Sequence, residues 1–126
     1  MAATLNNLAS LLDHMGRYGE ALPKYEEALG LYRGLWESDR GNSVYASRFM
    51  GIASNLSLFH RGRGELAEAM GVLQTSLGLC KQTGYRRGEA EALLGVVQLL
   101  LVMGDDREAE RRLEEAAEIS KQHGYD

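Results

Sequence analysis

Apolar residues recur along this chain at helical spacing. Leu5, Leu8, Leu12 and Met15 fall at i, i+3, i+7 and i+10. Leu22, Tyr25, Leu29, Tyr32 and Trp36 extend the same series to i+14, and Leu93, Val96, Leu100 and Met103 repeat it. Residues so spaced share one face of a helix, so each set predicts the buried stripe of an amphipathic helix. No sustained alternation of apolar and polar residues rich in Val, Ile and Thr occurs, and no strand is expected. The stripes break at Gly16, at 37–43, at 61–64, at Gly84 and at Gly104. Six helices follow, over 2–15, 18–36, 44–60, 65–82, 86–103 and 106–122. Asp105 with Glu108 has the form of a capping box. Gly84 and Gly124 stand where a left-handed glycine ends a helix.

The helices come in repeated pairs. Each pair carries a turn glycine with alanine five residues on: Gly16 and Ala21, Gly64 and Ala69, Gly104 and Ala109. The offsets are 48 and 40 residues. Lys81-Gln82-Thr83-Gly84-Tyr85 recurs as Lys121-Gln122-His123-Gly124-Tyr125, again 40 apart. Three hairpins are therefore expected, over 2–36, 44–83 and 86–123, forming one domain across 1–126. The second copy of the junction motif implies a piece cut from a longer array. One hairpin cannot bury both its faces, so neighbours must stack. Ala9, Ala21 and Ala28 would let antiparallel helices approach closely, with Leu8, Tyr25 and Leu29 filling the flanks.

The stretch TLNNLASLLDHMGRYGEALPKYEEALGLY, Thr4 to Tyr32, resembles a tetratricopeptide repeat of the long, kinesin-light-chain-like kind. Leu5, Leu8, Ala9, Leu12, Gly16, Tyr18, Ala21, Tyr25 and Ala28 carry the likeness. The third unit follows with Leu93, Val96, Val97, Leu100, Gly104, Ala109, Leu113 and Ala116. The middle unit is degenerate, with Ala53, Leu56, Ser57, His60, Gly64, Ala69, Leu73 and Ser76. The resemblance implies an all-α fold: three antiparallel helix-turn-helix repeats stacked in a short right-handed superhelix. It also implies a non-enzymatic module that binds a protein or peptide segment on the concave face, which the first helix of each pair lines.

On that resemblance the inward positions are Ala3, Asn6, Asn7, Ser10 and Asp13 in the first unit. They are Gly51, Ser54, Asn55, Leu58 and Arg61 in the second, and Glu91, Leu94, Gly95, Gln98 and Leu101 in the third. Polar anchors come from Asn6, Asn7, Ser10, Asn55 and Gln98, charge from Asp13, Arg61 and Glu91, and apolar contact from Leu58, Leu94 and Leu101. Of the family's clamp for a chaperone's C-terminal carboxylate only Asn55 is present. Asn6, Ser10 and Gly95 depart from it, and Glu91 has the opposite charge, so chaperone-tail binding is not expected. Asn7 and Asn55 share a repeat position. An amide offers donor and acceptor together, which suits an extended peptide backbone; the alternative is that each bonds a neighbouring helix or water.

Charge and composition narrow the partners. Net charge is −4. Residues 1–63 hold 7 Lys/Arg and 6 Asp/Glu, and residues 64–126 hold 7 and 12. Without a basic excess, nucleic acid and anionic membranes are not expected as partners. The apolar run Val96–Met103 is too short to span a bilayer. MAATLNNLAS lacks the form of a signal peptide, and Cys80 is the single cysteine, so a cytoplasmic location is expected.

Chemistry-bearing groups are sparse. His14, His60 and His123 form no i, i+3 or i, i+4 pair, so neither a metal site nor a cofactor is expected. Cys80 shares a stripe with Leu66, Leu73 and Leu77 and reads as core. Arg61-Gly62-Arg63-Gly64 follows a helix rather than a strand and reads as a basic turn. Glu108–Arg112 and Arg111–Glu115 are attractive surface pairs. Leu93–Met103 is apolar nearly all round and wants cover, from a groove floor, a further repeat or a neighbouring subunit. Self-association through uncapped repeat ends, or a peptide-sensing role within a larger regulator, are the rival readings. Gly30, Gly34, Gly51, Gly71, Gly78 and Gly95 fall inside helices, where close packing would explain some of them. Pro23 is expected near the first turn of its helix.

Overall fold

The computed structural model describes residues 2–123, the side chain of His123 excepted. Its elements are α1 (Ala2–His14), α2 (Tyr18–Ser38), α3 (Ser43–Gly62), α4 (Leu66–Thr83), α5 (Arg86–Val102) and α6 (Asp106–His123). All six expected helices form, with ends displaced by no more than two residues, and no strand occurs among the described residues. The start of α3 has a local cause: Asn42 Oδ1 accepts the N–H groups of Val44 at 3.0 Å and Tyr45 at 3.1 Å.

The turns follow the repeat. Gly16, Gly64 and Gly104 sit at φ +76°, +75° and +80°, in the left-handed region that L side chains rarely adopt. Gly84 ends α4 in the same conformation, and Gly124 lies outside the described residues. The capping box forms by half. Asp105 Oδ1 accepts the Glu108 N–H at 3.3 Å, whereas the Glu108 carboxylate turns away to Arg111 and Arg112. Pro23 is the sixth residue of α2, one turn deeper than expected, and gives the Gly19 carbonyl no N–H to accept.

Each helix packs on the next in sequence. In addition α1 touches α3 and α3 touches α5, while α2 and α4, and α4 and α6, stay apart. A row of helices in mutual contact backed by a row that splays is a curved stack, and α1, α3 and α5 form its inner row. The fold is thus an all-α array of three helical hairpins.

The core runs between hairpins. Trp36 of α2 lies 5.4 Å from Phe49 of α3 and 6.1 Å from Tyr85 at the α4–α5 turn, by ring centroids. Tyr25 of α2 lies 5.7 Å from Phe59 of α3. Leu73 of α4 packs with Val96, Leu99 and Leu100 of α5. Ala9, Ala21 and Ala28 are fully buried, as close helix approach requires. Cys80 is also fully buried, and burial pushes its thiol up to about 12. No described helix is long and apolar enough to cross a membrane.

The stripes narrow at both ends of the stack. In α1 the buried positions are Ala2, Ala9 and Leu12, while Leu8 and Met15 are exposed. In α6 Ala109, Ala116 and Ile119 are buried but Leu113 is 48% exposed, and Met103 is also exposed. Helices α1 and α6 are covered from one side only, so part of each apolar face meets water. The glycines divide as well. A Cβ at Gly95 would stand 3.0 Å from Leu73, and one at Gly88 only 2.7 Å from Cys80 Sγ. Gly30, Gly34, Gly51, Gly71 and Gly78 have open space instead, so close packing does not explain them.

Candidate functional site

The inner row holds two cavities. The first is a groove of about 900 Å³. Asn6 and Asn7 enter it from α1, and Ser47, Arg48, Gly51 and Asn55 from α3. Tyr32 of α2, Tyr85 and Arg87 complete the wall. Asn55 Nδ2 donates to Asn6 Oδ1 at 3.3 Å, so this asparagine bonds the neighbouring helix. Asn7 stands exposed beside them. The groove's charged lining is cationic: Arg48 has no carboxylate partner among the described residues, and Arg87 reaches Glu91 only at 3.8 Å.

The second cavity, about 300 Å³, lies between α3 and α5. Leu58, Arg61, Glu91 and Gln98 line it, with Ser54 and Gly95. Arg61 Nη1 donates to Gln98 Oε1 at 3.4 Å, tying the two helices together across the inner surface.

The remaining expected positions sit elsewhere. Ser10 and Asp13 are half-buried and act on Tyr25 of α2. Burial pushes the Tyr25 phenol up, and the Asp13 charge adds to the rise. Leu94 and Leu101 are exposed on α5 and line neither cavity. The groove also takes in Ser43, Val44, Ser47 and Arg48, which precede the inward positions expected in α3, Gly51 to Arg61. The signal was present: Val44, Ser47, Gly51 and Asn55 fall at i, i+3, i+7 and i+11, so the inward stripe continues two turns back to the start of α3.

At the α3–α4 turn His60, in the last turn of α3, is buried, and its Nδ1 lies 2.9 Å from Glu65 Oε1. Its ring and the carboxylates of Glu65 and Glu68 bring ligand-type atoms within 4.8 Å of one another, a set that spacing within single helices could not reveal. The hydrogen bond and the favourable place of both carboxylates at the start of α4 account for that geometry. His14 instead bonds the Ser10 carbonyl at 2.7 Å. The basic turn holds Arg63 over the Tyr18 ring at 4.9 Å and the Phe59 ring at 5.4 Å. In α6, Arg112 pairs with Glu108 at 3.2 Å and Glu115 at 3.3 Å. Arg111 turns to Glu108 rather than forming the expected ion pair with Glu115.

Two of these carboxylates set an acid limit. The His60 hydrogen bond, aided by the Arg63 charge, holds Glu65 below its ordinary value of 4.5. The Arg111 hydrogen bond does the same for Glu108. A depressed pKa means the folded state favours the carboxylate, so this stability is present above pH 4.5 and is lost as pH falls through the lower folded values. The melting temperature is expected to drop below pH 4.5, and Glu65→Gln with Glu108→Gln to flatten that drop. Thermal melts across the acid range check it; an identical acid profile in the double variant would contradict the assignment.

Comparison with known proteins agrees with the fold. A tetratricopeptide repeat family model matches residues 1–35 and 50–83, more than half of the chain. It recognises the second unit, which residue counting ranked below the third, and does not extend to the third. No curated protein matches. With six helices in three stacked hairpins and both leading hairpins matched, the chain belongs to the tetratricopeptide repeat family.

Proposed function

We propose that the chain is a non-enzymatic protein-binding module, acting as one domain, that holds an extended segment of a partner along the face of α1, α3 and α5. Tetratricopeptide repeats generally mediate protein–protein interaction. The observation that carries the finer reading is the groove of about 900 Å³ on this face, mixed polar and apolar and open to solvent, with Asn6, Asn7 and Asn55 on its wall. Asn7 has both amide groups available, and Asn55 keeps its oxygen after bonding Asn6. Both would meet the alternating N–H and C=O groups of an extended backbone. Further along, Leu58 and the exposed Leu94 and Leu101 offer apolar contact, and Arg61, Gln98 and Glu91 offer polar and charged contact. Ser10 and Asp13 contribute through Tyr25, by holding α1 on α2. A single buried, free Cys80 suits a reducing, cytoplasmic setting.

A peptide array or pull-down with Asn7→Ala and Asn55→Ala tests this reading. Each variant is expected to weaken capture by about 0.5–1.5 kcal/mol, the usual net value of a hydrogen bond. Unchanged binding in both would remove the asparagines from the site. Self-association is the second reading, favoured by Leu101, Val102 and Met103 exposed at the end of α5 and by Leu113 exposed on α6. Light scattering over a concentration series decides it, and a strict monomer removes it.

A further inference from the structure

A third cavity lies on the opposite, outer side, between α2 and α4. It is an open cleft of about 540 Å³. Its apolar lining is Leu29 of α2, Phe49 and Leu56 of α3, and Val72 of α4. Its two walls are thinned by Gly30 and Gly71, and a Cβ at either would meet nothing within 4 Å. These glycines sit in the middle of helices, where the residue weakens the helix.

The repeat supplies an internal control. Shifted by its own offsets of 48 and 40 residues, the same interval recurs between α4 and α6. There Gly78 matches Gly30 and is equally open, but Arg111 and Arg112 replace Gly71 and Val72, and the buried Glu89 replaces Phe49. Lys81 spans the gap to Glu115 at 3.9 Å. One interval is bridged by charged side chains; the other is left open over an apolar, partly aromatic floor. The difference between the two intervals therefore lies at Gly71, Val72 and Phe49, and Gly30 is common to both.

The rim gives the slot a chemistry. Glu26 stands one turn before Gly30, and Glu68 one turn before Gly71. Helices α2 and α4 are both second helices of stacked hairpins and run the same way, so the two carboxylates mark one end of the slot. Among the described residues Glu26 carries no ion pair and Glu68 has only the His60 ring and the Glu65 carboxylate nearby, within 4.8 Å, whereas Arg33, on the lining beyond Gly30, is already paired with Glu37 at 2.8 Å. A cation is wanted at one end and an apolar group in the middle, about one helical turn, ~5 Å, apart.

We propose that the α2–α4 cleft is a second docking site, separate from the inner face, that takes a partner helix by an apolar anchor with a lysine or arginine one turn away. The anchor, a leucine or an aromatic ring, fills the space beside Gly30 and Gly71 and packs on Phe49 and Leu56. The cation settles between Glu26 and Glu68.

The glycines also make the test clean. Gly30→Leu and Gly71→Leu place carbon in the slot while giving each helix a better former, so the chain stays folded. The probes are two alanine-based helical peptides, each with one leucine and a lysine four residues before or after it. In a control pair glutamate replaces the lysine. Binding to the ¹⁵N-labelled chain is read from amide shifts. At least one lysine peptide is expected to shift amides of α2, α4 and Phe49. Either leucine substitution should weaken it roughly tenfold or more, the worth of one buried apolar side chain. The glutamate control should bind more weakly, and Glu26→Gln with Glu68→Gln should erase that difference. Asn7→Ala should leave this binding unchanged even where it lowers capture on the inner face. Shifts confined to α1, α3 and α5, undiminished binding to Gly30→Leu, or no shifts at all would each overturn the proposal. A concentration-dependent dimer abolished by Gly71→Leu would overturn it too, assigning the cleft to a second copy of the chain.

Discussion

Replacing Trp36 with alanine is expected to cost about 3–5 kcal/mol of folding stability, the usual toll of deleting a buried large aromatic. A domain of ordinary stability holds about 5–15 kcal/mol in total. Trp36 is 1% exposed and joins a core that takes residues from α2, α3, α4, α5 and α6. Its ring belongs to the first hairpin, Phe49 to the second, and Tyr85 to the junction with the third. The substitution therefore opens a cavity at the place where all three hairpins meet, and distant elements cannot collapse to fill it. Hydrogen bonding is not part of the loss, because Trp36 Nε1 has no acceptor. Trp36→Phe keeps a ring against Phe49 and Tyr85 and removes that unpaired donor, so it should cost much less. Urea unfolding followed by circular dichroism measures both. A Trp36→Ala loss under about 1.5 kcal/mol, within the range of volume-conserving core swaps, would show that the hairpins do not depend on this contact.

The sequence exposes the period and hides the surroundings. Gly16, Gly64 and Gly104 could be read as turns because the same local geometry recurs wherever a helix pair folds back, and φ near +75° to +80° admits little else. The inner face was partly legible for the same reason: Asn6, Asn7, Asn55, Leu58, Arg61, Glu91 and Gln98 all line the two inner cavities. Periodicity names the apolar side of a helix but not what covers it, so Leu8, Met15 and Met103, all on predicted buried stripes, face water. Contacts across a turn are hidden in another way. His60 and Glu65 meet because α3 and α4 reverse direction, and no spacing rule for one helix brings them together. The outer cleft is the extreme case. Gly30 and Gly71 are far apart in the chain, and each alone is only a weak point in a helix.

Two small residues of α4, two positions apart, are expected to respond to enlargement with opposite signs. Ala69→Leu should destabilise the chain by about 1–3 kcal/mol, the cost of overfilling a packed core. Ala69 is fully buried and packs with Leu73, Val96 and Leu99. Its repeat partners, Ala21 and Ala109, are equally enclosed, so the position is small because a second helix lies against it. Gly71→Ala should stabilise by about 0.5–1 kcal/mol, the difference in helix propensity. A Cβ there meets nothing within 4 Å, and the helix gains without a clash. Urea midpoints of the two variants in one buffer check both signs. If Gly71→Ala destabilised the chain, the cleft would be narrower in solution than the structure has it. If Ala69→Leu were neutral, the alanine of the repeated turn would not be set by helix contact. Opposite shifts would show that smallness at the first position serves the fold, and that at the second the fold would be better off without it.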